Sequence, residues 1–428
     1  MLPNENIRLI KYKNIKYFIK FMPGTLLESN IAKCYHNHKS NCYIITYVDY
    51  DELFTKEQIV KYMNDIITKN KILTQKIIEK NKNHYLIDET NFNIGDYYTV
   101  LNTEHSKFDN FIDGMFNIKL DTLLLWKALW CVDGNLKKTR MYFKIHHSCA
   151  DGFTLINILT SPFYDVDTTY ITKKLKRKTT ILNTIYYYII GSILLIILNI
   201  RILINNIIHQ LYAEENIESS SFEDKKNDYI ICESFNLNEI KTFTKKHNIT
   251  INDFLYSLMI KTDKKYRKKE KLLMIGSPIN ITGTKNITNS FGLCNLIKNT
   301  QDNYTLIKNV NETFNCFKYS LYIPIISLII NNTFFFPVIK HCIQNLYQYN
   351  SIDYVFTNMI GPPSKNFELK ISNIHFVSTP INKEVIYNII SYENNINLIC
   401  CFKEGVIENK DEYKKCIYET YNEIIKLK

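Results

Sequence analysis

His146-His147-Ser148-Cys149-Ala150-Asp151-Gly152 is the stretch that decides the reading. Upstream of it, Met141, Phe143 and Ile145 alternate with Tyr142 and Lys144, the pattern of a half-buried strand. Downstream, Phe153, Leu155, Ile156 and Leu159 recur at helical spacing. The two histidines therefore fall where a strand runs out and a helix starts near Asp151, so that a basic side chain there faces a cavity. Histidine titrates nearest neutrality, and His147 is suited to take a proton from an alcohol at pH 7 and to return it. Gly152 lacks a Cβ and lets backbone or substrate come close. Plainer roles fit the same residues: polar side chains at a strand end, with Asp151 capping the next helix. A metal site finds no third ligand at a helical or zinc-finger interval. Cys149 beside a histidine in sequence does not by that fact acquire the contact geometry of a nucleophile.

His146-His147-x-x-x-Asp151-Gly152 resembles the HHxxxDG signature of the CoA-dependent acyltransferase superfamily. That superfamily includes chloramphenicol acetyltransferase, peptide-synthetase condensation domains and the wax ester synthase/diacylglycerol acyltransferase family. Further stretches resemble the last branch. Leu125-Trp126 matches two residues of its Pro-Leu-Trp motif, with Leu124 in place of the proline. Asn252-Asp253 resembles its Asn-Asp motif, although Thr250 to Asp253 also reads as a capping box. Met274 to Asn280 and Asn289 to Gly292 resemble its strand and Gly-Asn-x-x-Gly segment, without the leading glycine. Thr357-Asn358-Met359-Ile360-Gly361-Pro362 resembles its Ser/Thr-Asn-x-x-Gly-Pro element, and Gly-Pro after the apolar Tyr354-Val355-Phe356 is a turn on any reading.

Composition narrows the class. The chain has 428 residues, 46% hydrophobic and 22% charged, which suits a globular protein with a sizeable core. A net charge of +11 favours anionic partners such as a CoA phosphate or a lipid surface. No zinc finger, RNP motif or basic heptad helix is present, so nucleic acid is not an expected partner. Eleven cysteines without regular spacing suggest a reduced, cytosol-facing protein, and the N-terminal residues have no secretory h-region.

Along the chain, Cys42 to Val48 reads as a strand, and Thr55 to Gln58 opens a helix with Ile59, Met63, Ile66 and Ile67 on its apolar face. Leu73 to Ile78 and His84 to Ile87 read as a hairpin. Asp121 to Trp130 reads as a buried strand holding both tryptophans. Lys173-Lys174-Leu175-Lys176-Arg177-Lys178 is a basic run, followed by 20 uncharged residues from Ile181 to Ile200, about the length that spans a bilayer core. A single crossing would part the two halves of the chain. The second uncharged stretch, Tyr319 to Ile339, is broken by prolines. A monotopic arrangement, in which the stretch dips into one leaflet or forms a surface hairpin, is therefore expected instead. Ile386 to Tyr392, Ile396 to Phe402 and a helix over 411–426 close the chain.

The resemblance implies an α/β, two-lobed, chloramphenicol-acetyltransferase-like fold, divided as 1–165, a membrane-associating insertion over 166–228, and 229–428. It implies acyl transfer from acyl-CoA, a co-substrate rather than a cofactor, to a fatty alcohol or diacylglycerol. His147 is then the general base, placed between the lobes in a tunnel. His146, Asp151 and Gly152 complete the motif, with Asp151 fixing geometry. Asn358, Gly361, Pro362, Asn252, Asp253 and Trp126 are binding or supporting candidates, Asn358 as a donor toward the developing oxyanion. Alternatives are another hydroxyl acceptor, a condensation domain, or an inactive lipid-binding relative. The expected location is a cytosol-facing membrane surface.

Overall fold

The structure, a computed structural model, describes residues 7–12, 15–20, 25–26, 42–80, 83–118, 120, 125–162, 225–268, 273–276, 295–297, 302–319, 354–362, 371–379 and 385–427, with ten more between 180 and 193. Strands β1 (Ile7–Tyr12) and β2 (Ile15–Lys20) pair with each other. After β3 (Thr25–Leu26) and β4 (Tyr43–Tyr50), helix α1 (Lys56–Lys69) begins at a capping box. There the Gln58 amide donates to Thr55 Oγ1 at 3.3 Å, and the Thr55 amide donates to Gln58 Oε1 at 2.7 Å. The expected hairpin is β5 (Gln75–Lys80) with β6 (Asn83–Asp88), and β3 adds to it. Next come β7 (Tyr98–Asn102), α2 (Phe111–Asn117), β8 (Trp126–Asp133), β9 (Lys138–His146) and α3 (Gly152–Thr160).

The second half opens with β10 (Asn227–Ile231), β11 (Phe235–Asn236), α4 (Leu237–Lys246) and α5 (Ile251–Arg267). It continues through β12 (Leu273–Gly276), β13 (Asn295–Ile297), α6 (Asn303–Tyr319) and β14 (Tyr354–Ile360). It closes with β15 (Ile371–Ser378), β16 (Val385–Tyr392), β17 (Asn395–Lys403) and α7 (Lys410–Ile425). Two sheets result. A five-stranded sheet runs β15-β4-β9-β8-β7, and a seven-stranded sheet runs β10-β17-β16-β14-β12-β13 with β11 also on β17. Within the larger sheet β14 pairs in parallel with both β12 and β16.

From within the stretch 229–428, β15 pairs antiparallel with β4 of the five-stranded sheet. One expectation needs correction: β9 is not half-buried. Met141, Phe143 and Ile145 pack under α1 and α3, and Tyr142 packs on the other face with residues of α2 and with Ile399 and Cys401 of β17. Lys144 is 1% exposed on that second face and donates to the carbonyls of Met115 at 2.8 Å, Phe116 at 3.1 Å and Ile118 at 2.6 Å. A buried ammonium is tolerated where each N–H finds an acceptor. Alternation of polarity thus marked the two faces of β9 but not what covers the second.

Of the insertion expected over 166–228, only scattered residues from 180 to 193 and 225–228 are described, and the basic run lies outside them. So do 121–124, 277–294 and 320–353, which contain Leu124, Asn280, the Asn289–Gly292 segment and most of the second uncharged stretch. Among the described residues no helix is long and apolar enough to cross a membrane.

The crossing strand is seated by an aromatic stack. His375 of β15 lies 4.6 Å from the Tyr47 ring at an interplanar angle of 17°, while the Arg140 guanidinium sits 4.4 Å over the same ring. Burial, and then the charge on Arg140, pull the imidazole down to about 3. Its folded pKa is therefore below the ordinary value near 6.5, and the folded state binds fewer protons than the unfolded chain between those limits. The contribution of neutral His375 to stability is complete above pH 6.5 and is lost as pH falls toward 3. Urea unfolding of the wild type from pH 7 to pH 4 should lose up to about 1.4 kcal/mol per pH unit more than His375→Phe does. Equal slopes for the two proteins would refute this.

Candidate active site

The site is built where β9 ends. Its last residue, His146, is opposite Tyr43 on β4, and the His146 amide donates to the Leu125 carbonyl at 2.7 Å. The next amide, of His147, donates to the Cys42 carbonyl at 2.8 Å. The Cys149 amide returns to the His146 carbonyl at 3.0 Å, which closes the turn. Asp151 then caps α3: its Oδ1 accepts from the Thr154 amide at 2.8 Å, and its carbonyl accepts from Leu155 at 2.9 Å. The expected strand, turn and helix are all present.

The two histidines differ. Nδ1 of His146 is 2.7 Å from Ser148 Oγ and accepts from the Ser148 amide at 3.2 Å. A backbone N–H can only donate, so Nδ1 of His146 is an acceptor and its ring proton sits on Nε2. His147 is partly exposed while its Nδ1 is shut off from solvent. Ser148, 3% exposed, was not singled out by sequence; a serine two residues after a histidine gives no signal of a bond to its ring.

Trp126 lies on β8, opposite Ile145 of β9. It is 2% exposed, its Nε1 donates to the Leu73 carbonyl at 2.8 Å, and its ring stacks on Phe143 at 5.3 Å. Asn252 and Asn358, far apart in sequence, come together: Asn358 Nδ2 donates to Asn252 Oδ1 at 2.6 Å. That bond ties β14 to the first turn of α5. Asp253 completes the cap of that helix, taking the Thr250 amide at 2.7 Å, and also accepts from Asn311 at 2.5 Å. Gly361 ends β14 with its amide donating to the Ser391 carbonyl at 2.7 Å. A Cβ there would collide with that carbonyl oxygen, and Pro362 beside it is buried.

Alternation along β14 sorts its side chains between two surroundings. Tyr354 and Phe356 join the core of the C-terminal lobe, with Phe356 against Tyr256 of α5, and Asn358 shares their parity. Met359, on the opposite face, packs in the N-terminal core with Cys149, Ala150, Leu155 and Ile156. Met359 reaches the turn that carries His147. A Cβ placed on Gly152 would overlap the Met359 sulfur and lie 3.0 Å from its Cε. Among the described residues no cluster of His, Cys, Asp and Glu side chains could hold a metal ion, and the eight described cysteines are free.

Comparison with known proteins accords with this geometry. Residues 288–425 match the family model of the WS/DGAT C-terminal domain. No curated protein matches the chain by sequence. In structure it is similar to the wax ester synthase/diacylglycerol acyltransferase of Marinobacter aquaeolei VT8, at 11% identity and a TM-score of 0.61, over 94% of this chain and 98% of that one. It is similar to the trichothecene 15-O-acetyltransferase of Fusarium sporotrichioides, at 10% identity and a TM-score of 0.61, over 94% and 95%. The condensation domain of the monacolin K polyketide synthase MokA follows at 10% and 0.55, over 94% and 96%. At such identities the likeness speaks for the fold, and the family match adds support for an acyltransferase. Residues 288–425 thus match the C-terminal domain of the wax ester synthase/diacylglycerol acyltransferase family, and the chain as a whole has the two-lobed fold of the acyltransferase and condensation-domain structures to which it is similar.

Proposed function

We propose that the protein is an O-acyltransferase that moves a long-chain acyl group from acyl-CoA to a fatty alcohol or a diacylglycerol, with His147 as general base. The observation that carries this reading is the position of His147, on the strand–helix turn that β14 of the other lobe meets at Gly152. Since Nδ1 is shut off from solvent, we assign the proton transfer to Nε2. It takes the proton of the acceptor hydroxyl as the oxygen attacks the thioester carbonyl. The tetrahedral adduct then collapses, the C–S bond breaks, and the departing CoA sulfur takes the proton back from His147. Thiolate leaves readily, so no covalent enzyme intermediate and no bound cofactor enters the scheme. Alignment of both substrates in the seam between the lobes supplies further acceleration. The net charge of +11 suits the phosphates of the donor.

The same reading places the protein at a membrane or lipid-droplet surface. Ile181 is 80% exposed and Leu182 78%, and Ile185, Tyr186, Tyr188, Ile189 and Ile193 are exposed with them. These side chains follow the basic run Lys173 to Lys178 in sequence, a pairing of cationic and apolar residues that suits an anionic leaflet.

His147→Ala should lower the rate of ester formation from labelled acyl-CoA by at least about 100-fold with the fold retained by circular dichroism. Undiminished turnover in that variant removes the base from the mechanism. Deletion of 179–210 should abolish flotation with phosphatidylserine-containing vesicles, and a deleted protein that still floats would refute the surface assignment.

A further inference from the structure

We infer that Met359 is a positioning residue, which seats the C-terminal sheet on the catalytic turn by filling the space where Gly152 has no Cβ. Its effect on turnover rests on the reading of His147 as the base; the contact itself does not. The Met359 sulfur occupies the volume a Cβ on residue 152 would need, with Cε 3.0 Å and Cγ 3.6 Å from that point. Met359 is 5% exposed. Among the described residues of β14 it is the one counted in the N-terminal core, beside Cys149 and Ala150 of the turn and Leu155 and Ile156 of α3. Its strand is held on both edges by β12 and β16, so the backbone beneath the side chain is not free to retreat. The turn is equally fixed, through the His147–Cys42, Cys149–His146 and Leu155–Asp151 backbone bonds. At Gly152 the two pieces thus meet through an unbranched side chain, whose rotatable bonds let it fit an irregular gap. A methyl added at residue 152 needs the place of the Met359 sulfur, and in a closely packed interior the proposal is that the turn shifts along with the thioether.

The complementarity makes the test a cycle. Gly152→Ala, Met359→Ala, Met359→Leu and the Gly152→Ala/Met359→Ala pair are compared in the full chain for acyl transfer and for amide exchange over residues 146–155. Gly152→Ala alone is expected to lower kcat by about tenfold or more with a smaller change in the KM for acyl-CoA, because a shifted base costs rate rather than donor affinity. In the pair, the three atoms nearest the new methyl are gone, and kcat is expected to rise several-fold above that of Gly152→Ala. Met359→Leu should restore most of what Met359→Ala loses. Exchange of the 146–155 amides should quicken in each single alanine variant and slow again in the pair. A pair no better than Gly152→Ala in both readouts overturns the proposal. So does a Gly152→Ala protein that turns over and exchanges like wild type. Recovery of exchange protection with kcat equal in all variants would overturn the positioning role and leave a packing contact. If wild type transfers no acyl group to any alcohol or diacylglycerol, the enzyme reading fails, and the exchange cycle alone decides whether Met359 holds the turn.

Discussion

Strand β4 is hydrogen-bonded along both edges, and the rest of the architecture depends on those two ladders. On one side lies β9, which delivers His146 and His147 at its end; on the other lies β15, which arrives from the C-terminal half of the chain. The β15 ladder runs from Ile371 opposite Tyr50 to Ser378 opposite Ile44, with one register shift near Asn373. Beyond it the Thr379 amide donates to the Tyr43 carbonyl at 3.2 Å. A one-residue slip would turn Ile374 and Phe376 out of the core they share with α1 and α3. The crossing therefore does more than close a sheet edge. It helps fix where β14, which precedes β15 in sequence, meets the turn after β9.

The second face of the N-terminal sheet shows how a sheet covered on both sides accommodates charge. Arg140 is held by both oxygens of Asp49, at 2.5 and 3.1 Å, by Asp109, and by the Tyr142 hydroxyl at 3.1 Å. Burial works against its charge, and the neighbouring carboxylate outweighs it, so the guanidinium stays protonated. Arg267 has the same kind of shelter in the other lobe, between Asp263 and the Tyr354 hydroxyl. Buried ions of this sort are costly to orphan and contribute less to net stability than to fixing a unique arrangement of the groups they bind. In each lobe they lie away from the His147 turn, within the framework that supports it.

How much of this could be read from the sequence follows from how local each signal is. Alternation over Met141 to Ile145, helical spacing after Gly152 and an Asp at the start of α3 lie within some twenty residues, and strand, turn and helix came out as expected. The capping boxes at Thr55 and Thr250 were legible for the same reason. Asn252 and Asn358 were each singled out by motif resemblance, but their bond was not, since nothing in either segment states which face of β14 looks toward α5. Burial of Lys144 escaped because a lysine in an alternating strand reads as solvated until the carbonyls at the end of α2 are known. The crossing of β15 escaped because an apolar strand carries no mark of the sheet it joins. Met359 escaped because its role is defined by an atom another residue lacks.

The β4–β15 pairing also bears on how the polypeptide comes off the ribosome. Tyr43 and its partner Thr379 are 336 residues apart in the chain. At a synthesis rate of about 5–20 residues per second, tens of seconds pass between the emergence of the two segments. Throughout that interval the nascent N-terminal half has an unpaired strand edge at β4, a surface other chains can add to. Its sheet is completed only by a segment translated some 336 residues later. A chain stopped anywhere before residue 371 lacks β15 and leaves that edge of β4 unpaired.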